Sequence, residues 1–137
     1  MILNLNISDD LNVNPLLLSP LNLAFVGDAV FDLLVREYYV SQANRPVGTL
    51  HKLCTQKVCA GSQAKAATVI AEHLTQEEKD IFRRGRNAHT THTPKNSSGE
   101  EYHLATGFEC LIGFLYLSGR KERIAEIFDI VRKYWLD

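Results

Sequence analysis

Two stretches of this sequence each set a carboxylate among small and apolar residues: Leu23-Ala-Phe-Val-Gly-Asp28-Ala-Val and Leu104-Ala-Thr-Gly-Phe-Glu109-Cys-Leu-Ile-Gly113. A carboxylate in such a setting is costly unless something positive neutralises it. If the two stretches meet, Asp28 and Glu109 form an acidic pair that repels itself and attracts a hard cation. Mg²⁺ suits such a pair, because it prefers oxygen ligands and is commonly held by one or two carboxylates plus water and phosphate oxygens. The chemistry expected is attack on a phosphodiester, with the ion lowering the pKa of a water and offsetting charge.

Each acid also has a simpler explanation to weigh. Asp32 lies four residues after Asp28 and four before Arg36, so an ion pair with Arg36 accounts for Asp32 without a metal. Asp28 has Ala24 and Asp32 one turn away on either side, and neither is basic. Glu109 has Ala105, Thr106, Ile112 and Gly113 as helical neighbours. An isolated Glu is usually just solvated, but the apolar surroundings leave little solvated face, so metal binding leads.

Residues 83–99 contain no acid, in a chain of net charge -1. Arg83, Arg84, Arg86 and Lys95, with Asn87, are candidate contacts to backbone phosphates; solvated loop charges are the plainer alternative. His89-x-x-His92 lacks a third ligand for a transition metal, and these histidines are expected to meet phosphate or solvent. Lys52, Lys57 and Lys65 could extend the surface, although helical lysines mostly serve solubility.

The elements that must position these residues are helices. Ser19-Pro20 reads as a helix start, opening a segment to about Ser41 that is apolar on most of its circumference and is expected to be the central buried helix. After Asn44-Arg45-Pro46, a helix from about Val47 to Ala60 is expected, broken at Gly61-Ser62 before an Ala-rich helix to about His73. Thr75-Gln-Glu-Glu78 is a capping box opening a helix through roughly Arg84. A loop follows, then a helix from about Glu100 to Ser118 closed by Gly119. The last, from about Lys121 to Leu136, carries Ile124, Ile127, Phe128 and Val131 on one stripe. The fold class is all-α, with an irregular arm over 1–18 and one domain over 19–137.

The 137 residues suit one compact domain, and 45% hydrophobic content is ordinary for a globular protein. Cys54, Cys59 and Cys110 form no Cys-x-x-Cys, so buried, reduced thiols are expected rather than disulfides or zinc. Neither a secretory leader nor a membrane-spanning run is evident, and a cytoplasmic location is expected.

Phe25-Val-Gly-Asp28-Ala-Val resembles the signature motif of the ribonuclease III catalytic domain, and Phe108-Glu109-Cys-Leu-Ile-Gly113 resembles its second acidic motif. Gly48-Thr-Leu50-His-Lys52-Leu is similar to a further helical landmark, and the match covers roughly residues 19–137. Arg83-Arg-Gly-Arg-Asn-Ala88 and Ala105-Thr-Gly-Phe-Glu109 resemble the short Mini-ribonuclease III subfamily, which lacks a double-stranded-RNA-binding domain; the chain ends directly after its last helix, leaving no room for one. The resemblance implies a helical bundle forming a symmetric homodimer, with Phe25 at the interface. It also implies Mg²⁺-dependent cleavage of double-stranded RNA, with precursor 23S rRNA as the expected target and a ribosomal protein as a substrate-shaping partner. Asp28 and Glu109 carry over as catalytic metal ligands. Ala24, Val47 and Thr106 stand where typical members have further acids. A catalytically inactive RNA-binding or ribosome-associated dimer is the alternative that those losses motivate.

Overall fold

The structure is a computed structural model that describes residues 12–88 and 99–136. Most of the arm lies outside these residues, as do Lys95, His89 and His92. Among these residues, six α-helices follow a 3₁₀ turn at Pro15–Leu17: α1 (Pro20–Gln42), α2 (Val47–Val58), α3 (Ala60–Ile70), α4 (Gln76–Arg86), α5 (Gly99–Leu117) and α6 (Lys121–Leu136). The all-α expectation holds among the described residues.

Local chemistry sets the helix ends where the sequence marks them. The Ser19 hydroxyl accepts from the Asn22 N–H at 3.2 Å, ahead of Pro20. Thr75 and Glu78 form the reciprocal capping box of α4. Gly119 closes α5 with φ 73°, a left-handed conformation that costs glycine little.

Three expectations are corrected. The central helix is α5, not α1: from Ala105 to Leu115 every residue except Glu109 is buried. Helix α1 instead leaves Leu21, Phe25, Leu33 and Val40 exposed along one side. The break after α2 falls at Cys59, which caps both neighbours in extended conformation, and Gly61 lies inside α3. A Cβ on Gly61 would come 2.8 Å from Glu101 Oε2, so this glycine admits a carboxylate from α5 rather than stopping a helix. Finally, α4 continues past the expected end near Arg84 to Arg86, placing Arg86 with Arg83 and Arg84 in its last turn. Cationic side chains are favoured there by the helix dipole.

Cys54 and Cys110 are buried free thiols as expected, but Cys59 is exposed at its helix break. Phe31 sits edge-on to Phe108 at 5.0 Å, and Phe128 meets Trp135 at 5.8 Å. These aromatic contacts, bridged by Phe31–Phe128 at 6.1 Å, fasten α1 and α6 around α5. No described helix is long and apolar enough to cross a membrane.

Candidate active site

The two acidic motifs meet where α1 crosses α5, and glycines make the crossing possible. A Cβ on Gly27 would lie 1.7 Å from the Glu109 carbonyl oxygen, and one on Gly113 would lie 1.8 Å from the Leu23 carbonyl oxygen. The backbones therefore touch with no room for a side chain. Because Asp28 follows Gly27 directly and Glu109 supplies one touching carbonyl, the crossing fixes the carboxylates side by side.

The environment of the pair differs from the sequence-based expectation. Asp28 is exposed and Glu109 half-buried, so the acids sit at the mouth of the crossing rather than inside an apolar wall. Helical periodicity explains this: Asp28 lies one position past the buried Gly27, on the flank of α1 that turns outward. A shallow groove of about 450 Å³ opens beside it, lined by Phe25, Val26, Ala29, Leu33 and Tyr116 among others.

The carboxyl of Asp28 lies close enough to that of Glu109 to disfavour its ionisation. Burial, followed by the proximity and negative charge of Asp28, pushes the Glu109 carboxyl up to about 8. Two carboxylates this close resist ionising together. A cation between them would relieve that resistance.

Gln63 of α3, absent from the candidate residues read in the sequence, completes the floor. It is 2% exposed, and its side chain interacts with Glu109 so as to favour the ionised carboxylate. Its Nε2 nonetheless has no partner at hydrogen-bonding geometry. The available sequence signal was slight: one amide in a run otherwise dominated by Ala64, Ala66 and Ala67.

Asp32 binds Arg36 at 3.1 Å, the structural pairing expected from their spacing. The positions without the additional family acids are also placed. Ala24 is buried, Val47 is exposed at the start of α2, and the buried Thr106 donates its hydroxyl proton to the Tyr102 carbonyl at 3.0 Å. Among the described residues, no group of three or more His, Cys, Asp or Glu could hold a metal ion. The oxygen donors available are the two carboxylates. This set is poor for zinc but fits a hard divalent cation that retains most of its water, and the opposed acids supply the charge to hold it.

The arginines proposed for phosphate contact separate by environment. Arg83 donates to Asp80 at 2.9 Å, and Arg84 is half-buried and donates to the Leu18 carbonyl at 3.3 Å. Arg86 and Asn87 are exposed and border a groove of about 470 Å³ with Glu100, His103 and Leu104. Lys57 stacks over Trp135 at 5.0 Å, a packing role that sequence reading did not assign.

Residues 21–120 match the family model of the ribonuclease III domain. A Mini-ribonuclease 3 from Thermoanaerobacter sp. is 49% identical over 113 residues, covering 82% of this chain and 80% of the relative. One from Brevibacillus brevis is 41% identical over 119 residues, covering 87% and 89%. A crystal structure of a Fusobacterium nucleatum protein superposes with a TM-score of 0.77 at 38% identity, covering 84% of this chain and 92% of that one. With acids and glycines at the helix crossing and similarity over most of its length, this chain belongs to the ribonuclease III family of metal-dependent double-stranded-RNA endoribonucleases, among its Mini-ribonuclease 3 members.

Proposed function

We propose that the chain is a Mg²⁺-dependent endoribonuclease that acts as a symmetric homodimer on duplex precursor rRNA, trimming 23S ends during ribosome maturation. The observation carrying this reading is the juxtaposition of Asp28 and Glu109 at a glycine crossing that positions them on the surface. Their carboxylates would hold Mg²⁺. When bound, the ion supplies a water of lowered pKa and positive charge facing the phosphodiester. Gly27 and Gly113 keep the two ligands in register.

Arg86 and Asn87, exposed at the end of α4, would contact backbone phosphates, with Arg83 and Lys95 adding charge. Arg84 is the weaker candidate, because it already ties α4 to Leu18. Binding through phosphates and 2′-hydroxyls reads duplex shape more than sequence. A helper ribosomal protein that shapes the RNA stem fits such shape-based recognition.

The dimer is supported by α1, whose exposed Leu21, Phe25, Leu33 and Val40 recur at helical spacing. Phe25 is 82% exposed, and a second copy would bury this stripe. Two-fold symmetry then gives one site per RNA strand, and cleavage leaves 5′-phosphate ends.

The deciding experiment incubates a long RNA duplex with wild type and Asp28→Asn, in Mg²⁺ or EDTA. Wild type should cut only in Mg²⁺, and the variant should lose at least ~10²-fold of the rate, as for removal of a principal electrostatic stabiliser. Wild type that leaves the duplex intact in Mg²⁺ at low salt would overturn the proposal. Sedimentation of the wild type checks the dimer; a monomer at micromolar concentration would remove the two-strand reading.

A further inference from the structure

We infer that Gln63 is a positioning residue for the metal site, its buried amide orienting the Glu109 carboxylate for the cation. This rests on the metal reading above and extends it to a residue outside the two acidic motifs.

The geometric argument begins with burial. Gln63 is 2% exposed, yet its Nε2 has no hydrogen-bond partner. An unsatisfied buried amide is costly, and an apolar side chain of the same shape would avoid that desolvation cost. The local sequence offers small and apolar neighbours, so packing alone gives no reason for an amide here. The side chain also interacts with Glu109, across the contact between α3 and α5.

From α3, that amide favours the ionised form of Glu109, whereas Asp28 disfavours it. A cation held between the acids would offset their repulsion and favour both as carboxylates. The ionised Glu109 would then be an acceptor for Nε2 while facing the ion. Partners of this kind orient metal ligands, and their loss typically lowers metal affinity ~10–100-fold. Ala24, Val47 and Thr106 supply no acid at the other family positions, so orientation of the two remaining carboxylates matters more.

The test is calorimetric titration of Mg²⁺ and Mn²⁺ into RNA-free protein, with thermal melts alongside. Gln63→Met keeps the length of the side chain and removes the donor. It should melt no lower than wild type while binding Mn²⁺ about tenfold more weakly. Gln63→Leu serves as a second apolar replacement with the same expectation. Unchanged affinity in both variants overturns the inference, and so does failure of both to fold, which would assign the amide to the framework. Asp28→Asn distinguishes the underlying reading: if that variant binds Mn²⁺ as wild type does, the metal site itself is misplaced, whatever Gln63 does.

Discussion

Glu78 is a buried helical glutamate and Glu109 a half-buried one, and their surroundings treat them oppositely. Glu78 is 2% exposed and is fully engaged: Arg123 Nε and Nη2 each donate to it at 2.8 Å, and the Thr75 N–H donates at 2.9 Å. Burial raises its pKa, but the Arg123 hydrogen bonds, the capping-box bonds and the Arg123 charge together outweigh that and hold it below the usual value. Glu109 faces another acid and a poorly used amide, and is pushed up to about 8. One site is built to hold α4 against α6. The other withholds its counter-charge, which has to come from outside. Among acids in one fold, the unsatisfied one marks the place where function is kept at a cost to stability.

The comparison can be broken most severely at the helix crossing. Gly27→Ala places a methyl group 1.7 Å from a backbone carbonyl oxygen, and neither backbone can yield without separating α1 from α5. Overpacking of flexible cores costs about 1–3 kcal/mol, and a backbone clash is expected to exceed that range. Circular dichroism should find little folded protein, and no duplex cleavage should remain. A folded, active variant would show that the crossing does not hold the site.

Next in size is Arg123→Met, which strands Glu78 without its cation. Breaking a buried pair costs about 3–5 kcal/mol, and partial exposure of Arg123 places the expectation near the low end. Urea melts at pH 7 should record the loss, which should shrink as the medium is acidified and Glu78 becomes neutral. In wild type the sign runs the other way. A lowered Glu pKa contributes stability present above the ordinary carboxyl pKa and lost as pH falls through the folded value.

The smallest effect, and the sharpest contrast, comes from pH acting on Glu109. Its raised carboxyl keeps a proton that the unfolded chain has released, so metal-free stability should decline as pH climbs from the ordinary glutamate range to about 8. Mg²⁺ must displace that proton, so its half-saturating concentration should rise by up to ~10-fold per unit below pH 8 and level off above it. Binding titrations between pH 6 and 9 check this. A flat profile would mean that Glu109 is not the coupled ligand.

Much of this was legible in the residues themselves. Ser19-Pro20, the Thr75–Glu78 box and Gly119 fix helix ends through bonds within four or five residues, which is why those boundaries were readable. The Asp32–Arg36 pair was readable for the same reason, since one turn of helix determines the contact. Gly61 misled because a glycine that stops a helix and a glycine that admits the Glu101 side chain look identical in one dimension. The exposure of Asp28 and the apolar stripe of α1 were likewise hidden, because a helix that is apolar nearly all round does not reveal which side meets the core.

The sequence by itself determined the helices, the small-residue motifs and the two acids, because these follow from local hydrogen bonding and side-chain chemistry. Tertiary structure alone decided that α5 is the centre, that Gly27 and Gly113 are the contact points, and that Gln63 lies against Glu109. Those facts depend on how side chains from separate helices share space, and on the distances at which charges and dipoles act across it.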